Sequence, residues 1–332
     1  MIILDESVQF GQNKLLVIYG VRHLDIDFTR PLNYQDLVPL ALMSKSTWSG
    51  EDIKKELFNI EKQIGKIKYA VADHGSAIKK SLKLAGISHI YDLTHFISIT
   101  VEHIYREDPI FKEYTKKMAY LRATQALGKM AHVLPPAQRS KARFMNLRPI
   151  SDWGVSVLNF LDKVDEHFNA EKQSLSWVDQ YRDFIKELAL LNKMINTIQL
   201  TLKTNGLSKL TVETCKQTLS ESTSARLIQF KNKVCDYFQQ IFNDLPDLDR
   251  VLCTSDILES AFGKYKNYLQ ANPMVGITNL CLSISAFTGE MKPEDLKDAF
   301  EKTTVNKIKQ WTEKNIGETT LSKRLKVLKN GT

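Results

Sequence analysis

No run of about 18 apolar residues occurs anywhere in the 332-residue chain, so nothing in it reads as a membrane-crossing helix. The opening, Met1 to Phe10, lacks a basic n-region and carries an acid at Asp5, so it is not expected to be a secretory signal. Cysteine is scarce. The four present, Cys215, Cys235, Cys253 and Cys281, form no C-x-x-C pair. That spacing argues against a disulfide framework or a zinc site and fits reduced thiols in a cytoplasmic protein. There is no internal repeat and no low-complexity tract, and 14 Gly and 9 Pro are too few for a collagenous or linker-like chain. What is present is an ordinary globular composition, 43% hydrophobic and 25% charged, on a length that suits about two domains. The 46 Lys and Arg exceed the 38 Asp and Glu, giving a formal charge of +8 and a pI near 9.1. Such a surplus suits an anionic partner, nucleic acid above all, or merely basic solubility.

Residues 1–107 alternate strand and helix signals. Ile2-Ile3-Leu4 and Leu15 to Tyr19 are short apolar strands around the turn-forming Phe10-Gly11-Gln12-Asn13, which predicts a hairpin. Leu37 to Met43 offers a third strand. Ser49 with Asp52 forms a capping box ahead of a helix with Ile53, Leu57 and Ile60 on one stripe. Lys66 to Ala72 reads as a strand broken by Asp73-His74-Gly75, Ser76 to Leu84 as a helix ended by Gly86, and Ile87 to Leu93 as a strand before a helix opening at Thr94. Three strands, helix, strand, helix, strand, helix describes an α/β mixed sheet flanked by helices. From 108 to 250 strand signals fade into helical periodicity, clearest from Ile185 through Leu188, Leu191, Met194 and Ile198, and this region reads as an all-helical insertion. Residues 251–332 return to amphipathic helices and end in a basic tail.

Two acids end apolar strands, Asp5 and Asp73. A charge on a central strand belongs at a mouth or cleft, since burying it unpaired is costly. Two such carboxylates on neighbouring strands, joined by a third from a packed helix, make oxygen ligands for a hard divalent cation, and paired ions clamp the oxygens of a phosphoryl displacement. A strand-end Asp is also a common turn residue, so residue types alone leave both readings open.

The surrounding words are more specific. Ala70-Val-Ala-Asp73-His-Gly75-Ser76, with Ile90-Tyr-Asp92-Leu-Thr94-His95 after it, resembles the second-aspartate motif of DDE transposases of bacterial insertion sequences. Leu4-Asp5-Glu-Ser7 with Leu15 to Val21 resembles their first-aspartate hairpin, and Tyr34 to Leu42 with Trp48-Ser-Gly50-Glu51 is similar to the segment that follows it. Ser255-Asp-Ile-Leu-Glu259-Ser-Ala-Phe262-Gly263-Lys264-Tyr-Lys266 resembles the helix bearing the final glutamate. The resemblance covers residues 1–107 and about 250–270, and the helical insertion only loosely. It implies an RNase H-like five-stranded mixed sheet, with Asp5, Asp73 and Glu259 as catalytic ligands of two Mg²⁺ or Mn²⁺ ions. It also implies DNA, both transposon ends and target, as the partner, a homodimer in the synaptic complex, and a cytoplasmic, bacterial setting with no membrane. Glu259 and Lys266 match the Glu-Lys half of a signature of one transposase group, and seven residues put both on one helix face. The Tyr and Arg of that signature are replaced by Leu252 and Ser255. Full-length relatives carry a DNA-binding domain ahead of the first aspartate, so this chain is expected to lack it.

The insertion is basic at its start. Lys112, Lys116, Lys117, Arg122, Lys129, Arg139, Lys141, Arg143 and Arg148 are opposed only by Glu113, an excess equal to the whole chain's +8. A surface that tracks DNA phosphates is the expected role, with Lys266 as a further phosphate contact and a solvated face as the plain alternative. Asp92 and His95 could orient a water or a ligand, although a capped helix start is the simpler reading. His74 reads as a turn residue, Asp25, Asp27 and Asp36 as loop acids, and Trp153 and Trp177 as core residues rather than platforms for an unstacked base. The expected function is metal-dependent DNA cleavage and strand transfer. The alternatives are a catalytically inactive remnant that only binds DNA, and a different RNase H-like nuclease.

Overall fold

The computed structural model describes residues 1–8, 13–138, 144, 147–163, 168–268, 277–288 and 292–329. The chain divides into two compact units. The first comprises Met1–Asp92, Lys203–Asn205 and Leu252–Thr332, and the second Leu93–Leu202 and Gly206–Val251.

The first unit is built on a five-stranded mixed sheet: β1 (Ile2–Val8), β2 (Lys14–Gly20), β3 (Val38–Lys45), β4 (Tyr69–Ala72) and β5 (Ser88–Tyr91). The order across the sheet is β3-β2-β1-β4-β5. The first three strands form the antiparallel meander expected from the sequence, while β4 lies parallel to β1 and β5 parallel to β4. The turn residues Phe10, Gly11 and Gln12 fall outside the described residues. β4 is shorter than the apolar run starting at Lys66. The Ile67 N–H is taken by Glu61 Oε1 at 3.0 Å, which removes that residue from the ladder. β5 stops at Tyr91, because Leu93 already opens the next helix.

Alternation along the strands splits the core in two. Ile2, Leu4, Leu16, Ile18, Ala70 and Ala72 face one side, against Ile53, Leu57 and Ile60 of α1 (Gly50–Ile64) and Ile78 and Leu82 of α2 (Ser76–Ala85). Ile3, Leu15, Val17 and Tyr19 face the other, against Leu258, Ala261, Phe262 and Tyr265 of a later helix. The Ser49–Asp52 capping box is formed as read, and Asp52 is pulled down to about 2, first by Lys45 and then by Ser49. Asp27 and Asp36 serve their loop, accepting from Thr29 and from Arg30 and Asn33 respectively. Gly86 ends α2 in the left-handed region at φ 68°, donating to Leu82 and Lys83 carbonyls. A Cβ there meets nothing within 4 Å, so Gly86→Ala is expected to cost only the backbone term, about 1–2 kcal/mol, read as a lower midpoint in thermal unfolding.

The second unit contains α3 (Leu93–Tyr105), α4 (Pro109–Gln125), α5 (Arg148–Lys163), α6 (Asn169–Leu175), α7 (Arg182–Asn205), α8 (Lys209–Leu219) and α9 (Ala225–Asp244). Its last three residues of α7 belong to the first unit. α3 packs on α9, where Phe96 stacks on Tyr237 at 4.4 Å. Arg226 reaches Asp108 and Glu187, both at 2.7 Å, and Glu187 also accepts from the Tyr105 hydroxyl, so these half-buried carboxylates are paired. The first unit resumes with α10 (Asp256–Tyr268), α11 (Ser283–Ala286), α12 (Pro293–Lys302), α13 (Val305–Asn315) and α14 (Thr320–Lys329). None of the described helices is long and apolar enough to cross a membrane.

Candidate active site at the strand ends

The register places the acids. β1 and β4 pair Ile2 with Ala70 and Ile3 with Val71, so continuing two residues sets Asp5 beside Asp73. β4 and β5 pair Ala72 with Tyr91, and the Asp92 N–H donates to the Ala72 carbonyl at 2.9 Å, which sets Asp92 next to Asp73 on its other side. Asp73 and Asp92 directly follow β4 and β5, whereas Asp5, read from the sequence as the end of its strand, lies in the middle of β1, which pairs with β2 as far as Val8; the three aspartates thus line up across three adjacent parallel strands about 4.8 Å apart. Asp5 pairs with Val17 and shares the pleat of Ile3, so its side chain lies on the face that α10 covers. Only Asp5 and Asp73 of this row were singled out as ligands from the sequence.

Each carboxylate has a local anchor. Asp5 Oδ1 accepts from the Glu6 N–H at 2.7 Å, and Asp73 Oδ1 from the Gly75 N–H at 2.9 Å. Asp92 is 1% exposed, and its Oδ2 accepts from Ser255 N at 2.7 Å and Ser255 Oγ at 2.8 Å. The sequence reading gave Asp92 to the start of the helix that follows it. Its carboxylate also reaches Ser255, immediately before α10, and so fixes the start of the helix that carries Glu259.

Glu259 lies in the first turn of α10 and is exposed, flanking the buried Leu258 and Phe262. Lys266, two turns on, is exposed along the same stripe. The middle of α10 is held by Tyr34, whose hydroxyl donates to Ser260 Oγ at 2.8 Å and whose ring lies 3.8 Å from Lys264 Nζ. Among the described residues no group of three or more His, Cys, Asp or Glu side chains is arranged to hold a metal ion.

The electrostatics near Asp73 are those of a site poor in cations. His74 stacks on Tyr91 at 3.5 Å and 8°, and its ring is pushed down to about 4, first by burial, then by His89 and Lys79. Burial likewise lowers His89, whose Nε2 sits 3.4 Å from the Ala72 carbonyl. Both imidazoles are neutral at pH 7 and give the aspartates no countercharge. The Tyr91 hydroxyl is pushed up to about 12 by burial, with Asp73 and Asp92 adding to it. Glu6, missed in the sequence reading, is raised by burial and by Asp73, against Lys14 at 3.6 Å. Carboxylate oxygens are what hard divalent ions take, and two aspartates beside water and phosphate can make such a site.

The basic segment belongs to the second unit, and much of its charge is engaged. Lys112 pairs with Glu107, Lys117 with Glu113 at 3.5 Å, and Arg148 with Asp152 at 3.1 Å. Arg122 donates to the Pro135 carbonyl at 2.7 Å. Lys116 and Lys129 are exposed, and Arg139, Lys141 and Arg143 lie outside the described residues. Trp153 donates its indole N–H to Val133 O and stands 6.2 Å from Trp177, so both tryptophans sit in a half-buried aromatic cluster with Tyr114 and Tyr181. The cysteines are free thiols, and burial pushes Cys215 and Cys281 up to about 12, far from reactive thiolates.

No family model matches the sequence, and no curated protein matches it. Among solved structures the chain is similar to the Drosophila P element transposase strand transfer complex, with 11% sequence identity and a TM-score of 0.43 over 86% of this chain and 75% of that one.

Proposed function

We propose that this chain is the catalytic region of a DDE-type transposase with an RNase H-like core, cutting DNA and joining the freed 3′ end to a target. The observation that carries this reading is the β1–β4 register, which sets Asp5 beside Asp73 on the face covered by α10, the helix bearing Glu259. The sheet order β3-β2-β1-β4-β5, with its antiparallel meander and two parallel additions, is the order that the resemblance implies.

In this reading Asp5, Asp73 and Glu259 hold Mg²⁺ or Mn²⁺. The ions, when bound, supply charge stabilisation for an in-line phosphoryl displacement. The protein's own work is positioning. The short bonds from Glu6 and Gly75 N–H groups fix the two aspartates, and Asp92 fixes the start of α10. The neutral His74 and His89 leave the carboxylates' negative charge undiminished. Lys266, on the Glu259 stripe, meets a DNA phosphate. The direct test is divalent-metal-dependent nicking and strand joining on duplex DNA by the full chain. A chain that binds duplex and never cuts it would be a DNA-binding remnant.

DNA is held, in the same reading, by the basic segment from Lys112 to Arg148. Replacing Arg139, Lys141 and Arg143 with Ala is expected to weaken binding to any duplex. The slope of log K against log salt should become shallower by up to about 3, near one unit per lost phosphate contact. The loss should not depend on sequence, because phosphate contacts position DNA without reading it. An unchanged slope in a binding titration from low to physiological salt would leave the segment a solvated face.

A further inference from the structure

In the first unit, the face of the sheet away from α10 carries a charged surface that the proposed chemistry does not use. α1 and α2 cover that face. Each helix connects one strand to the next parallel one, α1 from β3 to β4 and α2 from β4 to β5, so the two helices run parallel. They touch where α1 begins. Glu51 pairs with Lys80 at 2.7 Å, and a Cβ on Gly50 would stand 2.7 Å from the Lys80 Cγ. That contact fixes the register. One turn further on, Lys54 and Lys55 of α1 stand alongside Lys83 of α2.

The buried residues decide which side chains point outward: Ile53, Leu57 and Ile60 on α1, and Ile78, Ser81 and Leu82 on α2. The outward stripe of α1 carries Lys54, Lys55 and Lys62, and that of α2 carries Lys79, Lys80 and Lys83. Glu51 is the one acid on either stripe, and α2 contains none. The other acids of α1 lie on its flanks and are engaged. Asp52 is held by Lys45 and Ser49, Glu56 by Asn59, and Glu61 by the Ile67 N–H. Lys54, Lys55, Lys79 and Lys83 are exposed and have no ion-pair partner among the described residues. Six cations over one acid on two touching helices make a surface that repels itself until a polyanion lies across it.

Geometry favours one polyanion. Packed helices lie about 8–10 Å apart. The lysines therefore form two rows at a separation between the widths of the two grooves of duplex DNA, about 6 and 12 Å, so that each row follows one strand of phosphates. An anionic lipid surface would call for free apolar side chains at the centre of the face. The large one there is Phe58, and Lys62 Nζ lies 4.5 Å over its ring. The row on α2 also starts close to the proposed site. α2 opens at Ser76, just after Asp73, and burial, His89 and then Lys79 lower the His74 ring between them, which puts Lys79 within electrostatic reach.

We infer that the outward face of α1 and α2 is a docking surface for duplex DNA, held through its backbone phosphates by Lys54, Lys55, Lys79 and Lys83. The choice of DNA rests in part on the transposase reading; the charge of the face does not. The surface is separate from the Lys112–Arg148 segment, which belongs to the other unit. Its contacts carry no base sequence, since lysine on phosphate positions a duplex without reading it.

The experiment uses the full chain and one variant carrying Lys54→Gln, Lys55→Gln, Lys79→Gln and Lys83→Gln. All four side chains are exposed and unpaired, so the variant is expected to unfold at the same midpoint as the unmodified chain. Binding of a short duplex is titrated from low to physiological salt without Mg²⁺. The slope of log K against log salt should become shallower by about 3–4, near 0.9 per lost phosphate contact, with affinity at about 0.2 M salt lower by at least tenfold. Arg at the same four positions should retain both. On the unmodified chain, duplex should protect these lysines from amine acylation, read by mass spectrometry, which needs no variant to fold. Unchanged affinity and slope in the Gln variant, or lysines that duplex does not protect, overturns the proposal. So does a variant that keeps duplex binding and loses binding to vesicles of anionic phospholipid, which would make the face a lipid surface. None of these readouts needs cleavage. A chain that never nicks DNA yet shows the slope change keeps this surface and loses the catalytic reading. A chain that nicks DNA and whose Gln variant keeps its slope loses the surface and keeps the reading.

Discussion

Asp73→Asn is expected to reduce divalent-metal-dependent nicking and strand joining by about 10³-fold, while the thermal midpoint stays nearly unchanged. The substitution keeps the size of the side chain and keeps an oxygen for the Gly75 N–H, now 2.9 Å from Oδ1, so the turn after β4 has no reason to open. What is removed is the anion. A cation between Asp5 and Asp73 then loses one of its two carboxylates. A loss of about 4 kcal/mol of transition-state stabilisation corresponds to that factor in rate. Affinity for duplex DNA should not fall, because a carboxylate repels the polyanion; it should hold or rise slightly. The comparison is therefore between cleavage of a labelled duplex and binding of the same duplex, with and without Mg²⁺. Full cleavage by Asp73→Asn would remove Asp73 from the ligand set, and with it the observation on which the catalytic reading rests.

The local features of the sheet were legible because they depend on near neighbours. Ile2-Ile3-Leu4 and Leu15 to Tyr19 announce two strands, and the Ser49–Asp52 box announces a helix start. Each prediction involves residues a few positions apart, where composition and periodicity act directly. The pairing of β1 with β4 is different in kind. The two strands are separated by β2, β3 and α1, and nothing in either segment's composition states which edge of β1 the later strand takes. Until that pairing is known, Asp5 and Asp73 are two separate acids. The motif resemblance grouped them, and the register gives the grouping a physical basis.

The basic segment shows the opposite limit. Counting charge from Lys112 to Arg148 omits Glu107 and Asp152, which lie just beyond the ends of the window and pair with Lys112 and Arg148. Charge along a chain is not charge on a surface. The stacking of His74 on Tyr91 was not within reach of the sequence. It needs the turn after β4 to fold back over β5.

Asp92 is the residue whose role most depends on the fold, and its removal should have the largest effect on stability. Its partner Ser255 lies 163 positions further along the chain. Both residues are nearly inaccessible to water, at 1% and 5% exposure. Asp92→Ala would strand the Ser255 N–H and hydroxyl with no acceptor in a site that water cannot readily reach. Hydrogen bonds to a charged acceptor contribute about 1.5–3 kcal/mol, and a stranded buried donor adds its own desolvation cost. A loss of roughly 3–4 kcal/mol is therefore expected, a large part of the stability of a domain of this size. Asp92→Asn keeps one oxygen acceptor and should cost about 1 kcal/mol, through the weaker neutral bond. Chemical denaturation of both variants tests the ranking, and the denaturant slope should not change if the loss is confined to this contact. The functional consequence follows from position. Ser255 directly precedes α10, so loosening it lets the helix carrying Glu259 shift against the strand ends. Asp92→Asn, still folded, should then lose strand-joining activity out of proportion to its stability, and less steeply than Asp73→Asn. Equal stability in Asp92→Ala and the unmodified chain would mean that α10 is held by its apolar face alone, through Leu258, Ala261, Phe262 and Tyr265.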